Sequence, residues 1–152
     1  MSPLFAKLNF KGQARMLAID APASFEPELA ALNDAVVDRA PNSGESYGFA
    51  IGFAVVRADL DRVSAQLIAA APGDAVVWLA YPKKSSKRYR CDFDRDSGWT
   101  VLGDAAFEPV RQVAIDEDWS ALRFRRVEYI KHLNRDAART LSAQGHARTK
   151  GA

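Results

Sequence analysis

The chain has 152 residues, 48% of them hydrophobic and 26% charged, with 21 Lys and Arg against 19 Asp and Glu for a net charge of +2. That length suits one domain able to fold without a disulfide or metal staple, and the composition excludes a chain that is disordered in bulk. The near balance of charge excludes a uniformly basic protein, so any affinity for phosphate has to come from a local patch.

Met16, Leu17, Ala18 and Ile19 predict a first strand over residues 14–19. It stops at Asp20-Ala21-Pro22, because proline cannot donate to a sheet ladder. Ser24 reads as a helix cap, with Glu26 and Glu28 in the first turn where carboxylates suit the positive end of the dipole. Leu29, Leu32, Val36 and Val37 then recur at helical spacing. A loop at residues 41–44 leads to a second strand over 47–56, apolar on both faces as a covered parallel strand is. A helix is predicted over 59–71, with Leu60, Val63, Leu67 and Ile68 on one stripe, and a third strand over 75–81. Strands alternating with helices predict a parallel sheet with helices packed on it.

After Tyr81-Pro82 the composition changes. Lys83-Lys84-Ser85-Ser86-Lys87-Arg88-Tyr89-Arg90 carries five positive charges in eight residues, and Asp92, Asp94 and Asp96 follow. Asp96 is expected to cap a short helix that Gly103 ends. Residues 110–115 and 120–127 read as fourth and fifth strands around the acidic turn Asp116-Glu117-Asp118. So short a connection forces an antiparallel hairpin. Ile130, Leu133, Ala137 and Leu141 fit one face of a last helix, with a frayed tail beyond it. The expected architecture is a single α/β domain over residues 1–133, with a mainly parallel sheet ending in an antiparallel β-hairpin. Residues 134–152 are expected to be a helix end and tail.

Three segments carry a resemblance: Tyr81-Pro82-Lys83, Asp96-Ser97-Gly98-Trp99, and residues 113–124, reading Val-Ala-Ile-Asp-Glu-Asp-Trp-Ser-Ala-Leu-Arg-Phe. The chain resembles the bacterial domain-of-unknown-function family 3052 over roughly residues 8–133, most specifically in the acidic turn and the Trp-Ser-Ala-Leu-Arg-Phe run. The resemblance implies a Rossmann-like three-layer sandwich, reminiscent of the carboxy-terminal half of a methyltransferase, which also ends in an antiparallel hairpin. It implies no activity, because the family has none assigned.

Dinucleotide and phosphate-loop chemistry needs a glycine-rich turn after the first strand, and Asp20-Ala21-Pro22-Ala23-Ser24 contains no glycine. Gly48 and Gly52 instead lie within a predicted strand, where they permit close helix packing. A calcium loop counted from Asp92 would need glycine at its sixth place and Glu at its twelfth, where Ser97 and Gly103 stand. No metal and no cofactor are expected. His132 and His146 both lie in the last segment, away from any nucleophile. Cys91, the single cysteine, rules out an intramolecular disulfide and suits a reducing compartment. It follows the basic run, which would make its thiol reactive, or it is a half-buried residue at a strand edge. Neither a signal h-region nor a run near the ~20 apolar residues of a membrane span is present, so the expected location is the cytoplasm.

The basic segment is the leading candidate site, because it begins where the third strand ends and ligands of open α/β sheets bind outside the carboxyl ends of strands. Lys83, Lys84, Lys87, Arg88 and Arg90 would clamp a phosphate, with Tyr81 or Tyr89 stacking on a base. The competing reading is a solvated loop neutralised by Asp92, Asp94 and Asp96. Arg123 and Arg125 alternate with Leu122 and Phe124, so one face of the fifth strand extends the basic surface or protects a sheet edge. Asp116, Glu117 and Asp118 are potential partners for those arginines, and Trp78, Trp99 and Trp119 read as packing residues. Three functions stay open: a non-catalytic module for an anionic ligand, a partner or nucleic acid, a methyltransferase-like or other small transferase with its site around Asp20, Tyr81 and Pro82, and a structural or dimerising protein that uses the hairpin edge.

Overall fold

The computed structural model describes residues 2–94 and 97–130. Its strands are β1 (Arg15–Ile19), β2 (Val36–Asp38), β3 (Phe49–Phe53), β4 (Val76–Pro82), β5 (Phe107–Ala114) and β6 (Trp119–Arg126). They form one sheet in the order β2-β1-β3-β4-β6-β5. The first four are parallel, and β6 returns antiparallel to both β4 and β5. The α/β class and the closing hairpin read from the sequence are therefore both present.

Helices α1 (Pro3–Lys7) and α2 (Glu26–Ala30) cover one face, and α3 (Arg57–Ala70) and α4 (Thr100–Asp104) the other. On the α3 side Leu60, Val63, Leu67 and Leu102 pack against Leu17, Ala50, Val77 and Leu122. On the α1 side Phe5, Phe10, Phe25, Phe49 and Phe53 interlock, with ring centroids 5.0–6.0 Å apart. The Trp78 indole N–H donates to the Leu8 carbonyl at 2.8 Å and fixes the chain that follows α1 to the sheet. Among the described residues no helix is long and apolar enough to cross a membrane.

Two local expectations are corrected, and one helix appears where none was expected. Val36 and Val37 stand on an edge strand, not a helix face: they pair with Arg15 and Met16 of β1, and the Val36 N–H donates to the Ala14 carbonyl at 2.8 Å. Two adjacent β-branched residues suit a strand, and α2 already ends at Ala30. The segment before β1 forms α1, with Ser2 accepting from the Phe5 N–H at 3.4 Å and proline in the first turn. Finally, β5 begins at Phe107 rather than after Pro109, because on an edge strand a register shift between Pro109 and Arg111 absorbs the proline. The predicted last helix and tail, and Asp96 itself, fall outside the described residues, but the short helix expected behind Asp96 starts at Thr100 with Trp99 at its N-cap and runs through Gly103 to Asp104.

The central helix α3 is closed at both ends by residues distant in sequence. Val56, at its N-cap, offers no side-chain bond, and the Asp92 carboxylate accepts from the Arg57 N–H at 2.6 Å instead. At the other end the Arg126 guanidinium donates to the carbonyls of Ala71 at 2.9 Å, Gly73 at 2.7 Å and Ile68 at 3.3 Å. It also lies 4.5 Å over the Phe107 ring. A cation at a helix C-terminus meets the negative end of the dipole, so β6 and α3 are locked together there.

Candidate functional site

Two places at the carboxyl ends of the parallel strands are relevant. The first lies beside β1, where the strand order reverses and open sheets usually receive their ligand. Asp20 there adopts φ of 58°, a conformation that glycine adopts without strain. Its carboxylate is 2.6 Å from Arg62 Nη2 on α3, and Arg62 also lies 3.4 Å from Asp59. An acid about 20 residues past the turn usually holds a ribose in dinucleotide folds. The acid at the end of β2, Asp38, is instead held by the Tyr47 hydroxyl and by Arg15, whose Nη1 lies 2.9 Å from both carboxylate oxygens. The Tyr47 hydrogen bond, followed by that of Arg15, keeps the Asp38 carboxyl below the usual carboxylate range.

The second place is a cleft of about 1100 Å³ at the end of β4. Its wall is Tyr81, Gln112 and Ser120, and its rim includes Lys83, Lys84 and Arg90. Gln112 Nε2 donates to the hydroxyls of Tyr81 at 3.1 Å and Ser120 at 3.0 Å. With both amide hydrogens engaged, the amide oxygen is left as an acceptor at the wall. The basic segment is tied down by the acidic turn of the hairpin. The Lys83 N–H donates to the Asp118 carbonyl at 2.8 Å, and the Ser86 hydroxyl donates to the Asp118 carboxylate at 2.9 Å. Ser86 Oγ in turn accepts from the N–H groups of Arg88 at 3.2 Å and Tyr89 at 3.1 Å. The loop is thus a hydrogen-bonded structure carrying charges outward.

Those charges are only partly met. Lys84 lies 4.0 Å from Asp94 with its side chain 87% exposed, and Arg88 lies 3.6 Å from Asp118. Exposed pairs of this kind contribute about 0–1 kcal/mol. Among the described residues Lys83, Lys87 and Arg90 form no ion pair. Asp92, a counter-charge in the solvated-loop reading, is engaged at the start of α3.

Several sequence expectations change here. Tyr81 is buried between Phe93 and Trp99, with ring centroids at 6.0 and 5.7 Å, so only its hydroxyl reaches the wall and no base can stack on it. Tyr89 is half-buried with its ring 5.0 Å from Trp119. Trp78, Trp99 and Trp119 are all buried, as packing residues. Burial pushes the Cys91 thiol up, and Asp92 and Asp94 add to that, so the preceding cations do not activate it. Gly52 faces α3 at close range, whereas Gly48 meets no helix. The hairpin's acidic turn does not bridge to the strand arginines: Asp116 accepts from the N–H groups of Asp118 and Trp119, both at 2.8 Å.

Arg123 and Arg125 are not brought to the loop. Trp119 pairs with Pro82 at the loop end of β6, whereas Arg125 lies at the other end and holds Asp74 through Nε at 2.8 Å and Nη2 at 2.7 Å. Six residues of strand separate the two ends by about 20 Å. Gln112, Ser120 and Ser86 were missed by the sequence reading. A period-two reading of the strand would have placed Val110, Gln112 and Ala114 together and flagged the one polar position among them. Among the described residues no group of three or more His, Cys, Asp or Glu is placed to hold a metal ion. His132 and His146 lie outside those residues.

No protein-family model and no curated protein matches the chain. Solved structures do, at the level of fold. The N-methyltransferase NodS from Bradyrhizobium japonicum WM9, in complex with S-adenosyl-L-homocysteine, is 13% identical with a TM-score of 0.54. The match covers 82% of this chain and 84% of that one. A putative type 11 methyltransferase from Sulfolobus solfataricus is 11% identical with a TM-score of 0.52, covering 89% and 98%. Magnesium protoporphyrin IX methyltransferase from Synechocystis PCC 6803, with bound SAM, is 16% identical with a TM-score of 0.50, covering 81% and 74%. The fold is Rossmann-like and shared with methyltransferases.

Proposed function

We propose that the chain is a non-catalytic module that binds a phosphate-bearing ligand through Lys83, Lys84, Lys87, Arg88 and Arg90 above the cleft at the end of β4. The observation that carries this reading is a loop with five cations, three of them without an ion pair among the described residues, held in shape by Ser86 and Asp118 on the rim of a cleft at the carboxyl edge of the sheet. Phosphate recognition needs cations facing solvent, and this loop presents them on a hydrogen-bonded backbone. Among the described residues no imidazole lines the cleft, and its thiol is pushed away from the reactive form.

A second reading is a transferase that uses the cofactor of its structural neighbours, and the shared fold favours it. The residues at the end of β1 do not fit that cofactor. The turn holds Asp20, Ala21 and Pro22 in place of glycines, Asp20 faces Arg62, and Asp38 is engaged by Arg15 and Tyr47. The homodimer reading draws on the β5 edge, which carries Pro109 and a register shift, features that blunt strand pairing.

The two leading readings are separated by amide shift mapping with pyrophosphate and with S-adenosylhomocysteine. The expected result is that pyrophosphate moves the amides of residues 83–90 and that S-adenosylhomocysteine moves none. Shifts centred on residues 19–24 with S-adenosylhomocysteine would replace the anion module by the transferase reading.

A further inference from the structure

The outer face of the hairpin holds a second group of cations. Arg111 on β5 stands directly opposite Arg123 on β6, and Trp78 on β4 is the other neighbour of Arg123. All three lie on the face covered by α1 and α2, as shown by Trp78, Val113, Trp119 and Ala121 at the same parity. Residues directly opposite in an antiparallel pair have Cβ atoms about 4.5–5.5 Å apart, and like charges so placed repel. Asp74 relieves this only in part, because it is held bidentately by Arg125. Glu108, the acid on this face of β5, stands opposite Arg125 rather than Arg123.

A second observation is independent of the first. Arg123 Nε is buried and has no hydrogen-bond partner. A buried donor on a charged group is costly to leave unmet, and such atoms are rare in folded proteins. Burial, then Arg125 and Arg111, push the Arg123 guanidinium below its ordinary pKa. Three arginines and two carboxylates, Asp74 and Glu108, thus meet on this face, which leaves one positive charge in excess.

We infer that Arg111 and Arg123 form an oxyanion site, which takes a phosphate group between their guanidinium planes. A guanidinium presents its donors in a planar fork matched to phosphate oxygens, and two forks facing across a strand pair supply donors from both sides. An anion there would relieve the cross-strand repulsion, reached through the exposed Arg111 and the partly exposed side of Arg123. Arg123 lies four residues along β6 from Trp119, about 13 Å from the loop anchor, so the site is separate from the cleft.

The test is thermal unfolding of the full chain in inorganic phosphate against sodium chloride of equal ionic strength. Three proteins are compared: the wild type, R111Q, and a variant with Lys83, Lys84, Lys87 and Arg88 changed to Ser. Arg111 is exposed, so its loss does not disturb the core. Saturating phosphate is expected to raise the wild-type Tm by about 2–5 °C beyond chloride. R111Q is expected to melt about 1–3 °C higher than wild type without phosphate, because the repulsion is gone, and to show a smaller phosphate shift than wild type. The loop variant should keep the part of the shift that R111Q loses. A shift of full wild-type size in R111Q, or no difference between phosphate and chloride, overturns the site. A shift lost only in the loop variant assigns the anion to the cleft instead, which overturns the arginine pair while leaving the cleft reading standing.

Discussion

Trp78→Ala is expected to be severely destabilising, with a urea midpoint far below that of the wild type. Trp78 is fully buried in the middle of β4, and truncating a buried aromatic residue typically removes about 3–5 kcal/mol. A domain of this size has only about 5–15 kcal/mol in total. The substitution also leaves the Leu8 carbonyl without its 2.8 Å donor, inside an aromatic cluster where water does not replace it. Trp78→Phe separates the two contributions. It keeps most of the packing and loses the donor, so a penalty of about 1–3 kcal/mol is expected, read as a lower urea midpoint with an unchanged slope. Equal stability of wild type and Trp78→Phe would mean that the indole bond does not hold the N-terminal segment.

The second large effect is expected at Gly52. This residue lies in β3 beneath α3, and a Cβ placed on it would stand 2.3 Å from Val63 Cγ1 and 3.2 Å from Leu67 Cδ1. Val63 is β-branched and stiff at χ1, so it cannot swing away. Gly52→Ala therefore has to push α3 off the sheet, at or above the upper end of the about 1–3 kcal/mol typical of overpacking. The strain is relieved by making room: Gly52→Ala combined with Val63→Ala should be less destabilised than the sum of the two single changes. Strict additivity in chemical denaturation would contradict the close approach of β3 to α3.

Much of this architecture was legible because its parallel strands are continuous apolar runs and its hairpin has a turn too short for a crossover. β1, β3 and β4 were each visible as such runs. What failed did so for physical reasons. Val36 and Val37 match helical spacing with Leu29 and Leu32, and a strand of three residues is too short to show a period of its own. The capping of α3 by Asp92 and Arg126 joins residues tens of positions apart, which no local pattern records. In the candidate site, the position of the basic loop followed from where β4 ends. The face to which each tyrosine turns did not, because β4 is buried throughout and its sequence shows no alternation. The misplacement of Arg123 and Arg125 has the same kind of origin: direction along β6 depends on its antiparallel pairing with β4, which sets Trp119 rather than Arg125 beside Pro82.

The central claim is that the residues from Lys83 to Arg90 contact phosphate, and fluorescence anisotropy of a labelled single-stranded oligonucleotide across a salt series tests it most directly. For a single strand, log K falls with log salt at a slope of about −0.7 per phosphate neutralised. The account predicts binding that weakens steeply with salt in the wild type. In the variant with Lys83, Lys84, Lys87 and Arg88 changed to Ser, the slope should be shallower by about 2–3 and the affinity at low salt largely lost. No binding at low salt, or the same affinity and slope in both proteins, would contradict it.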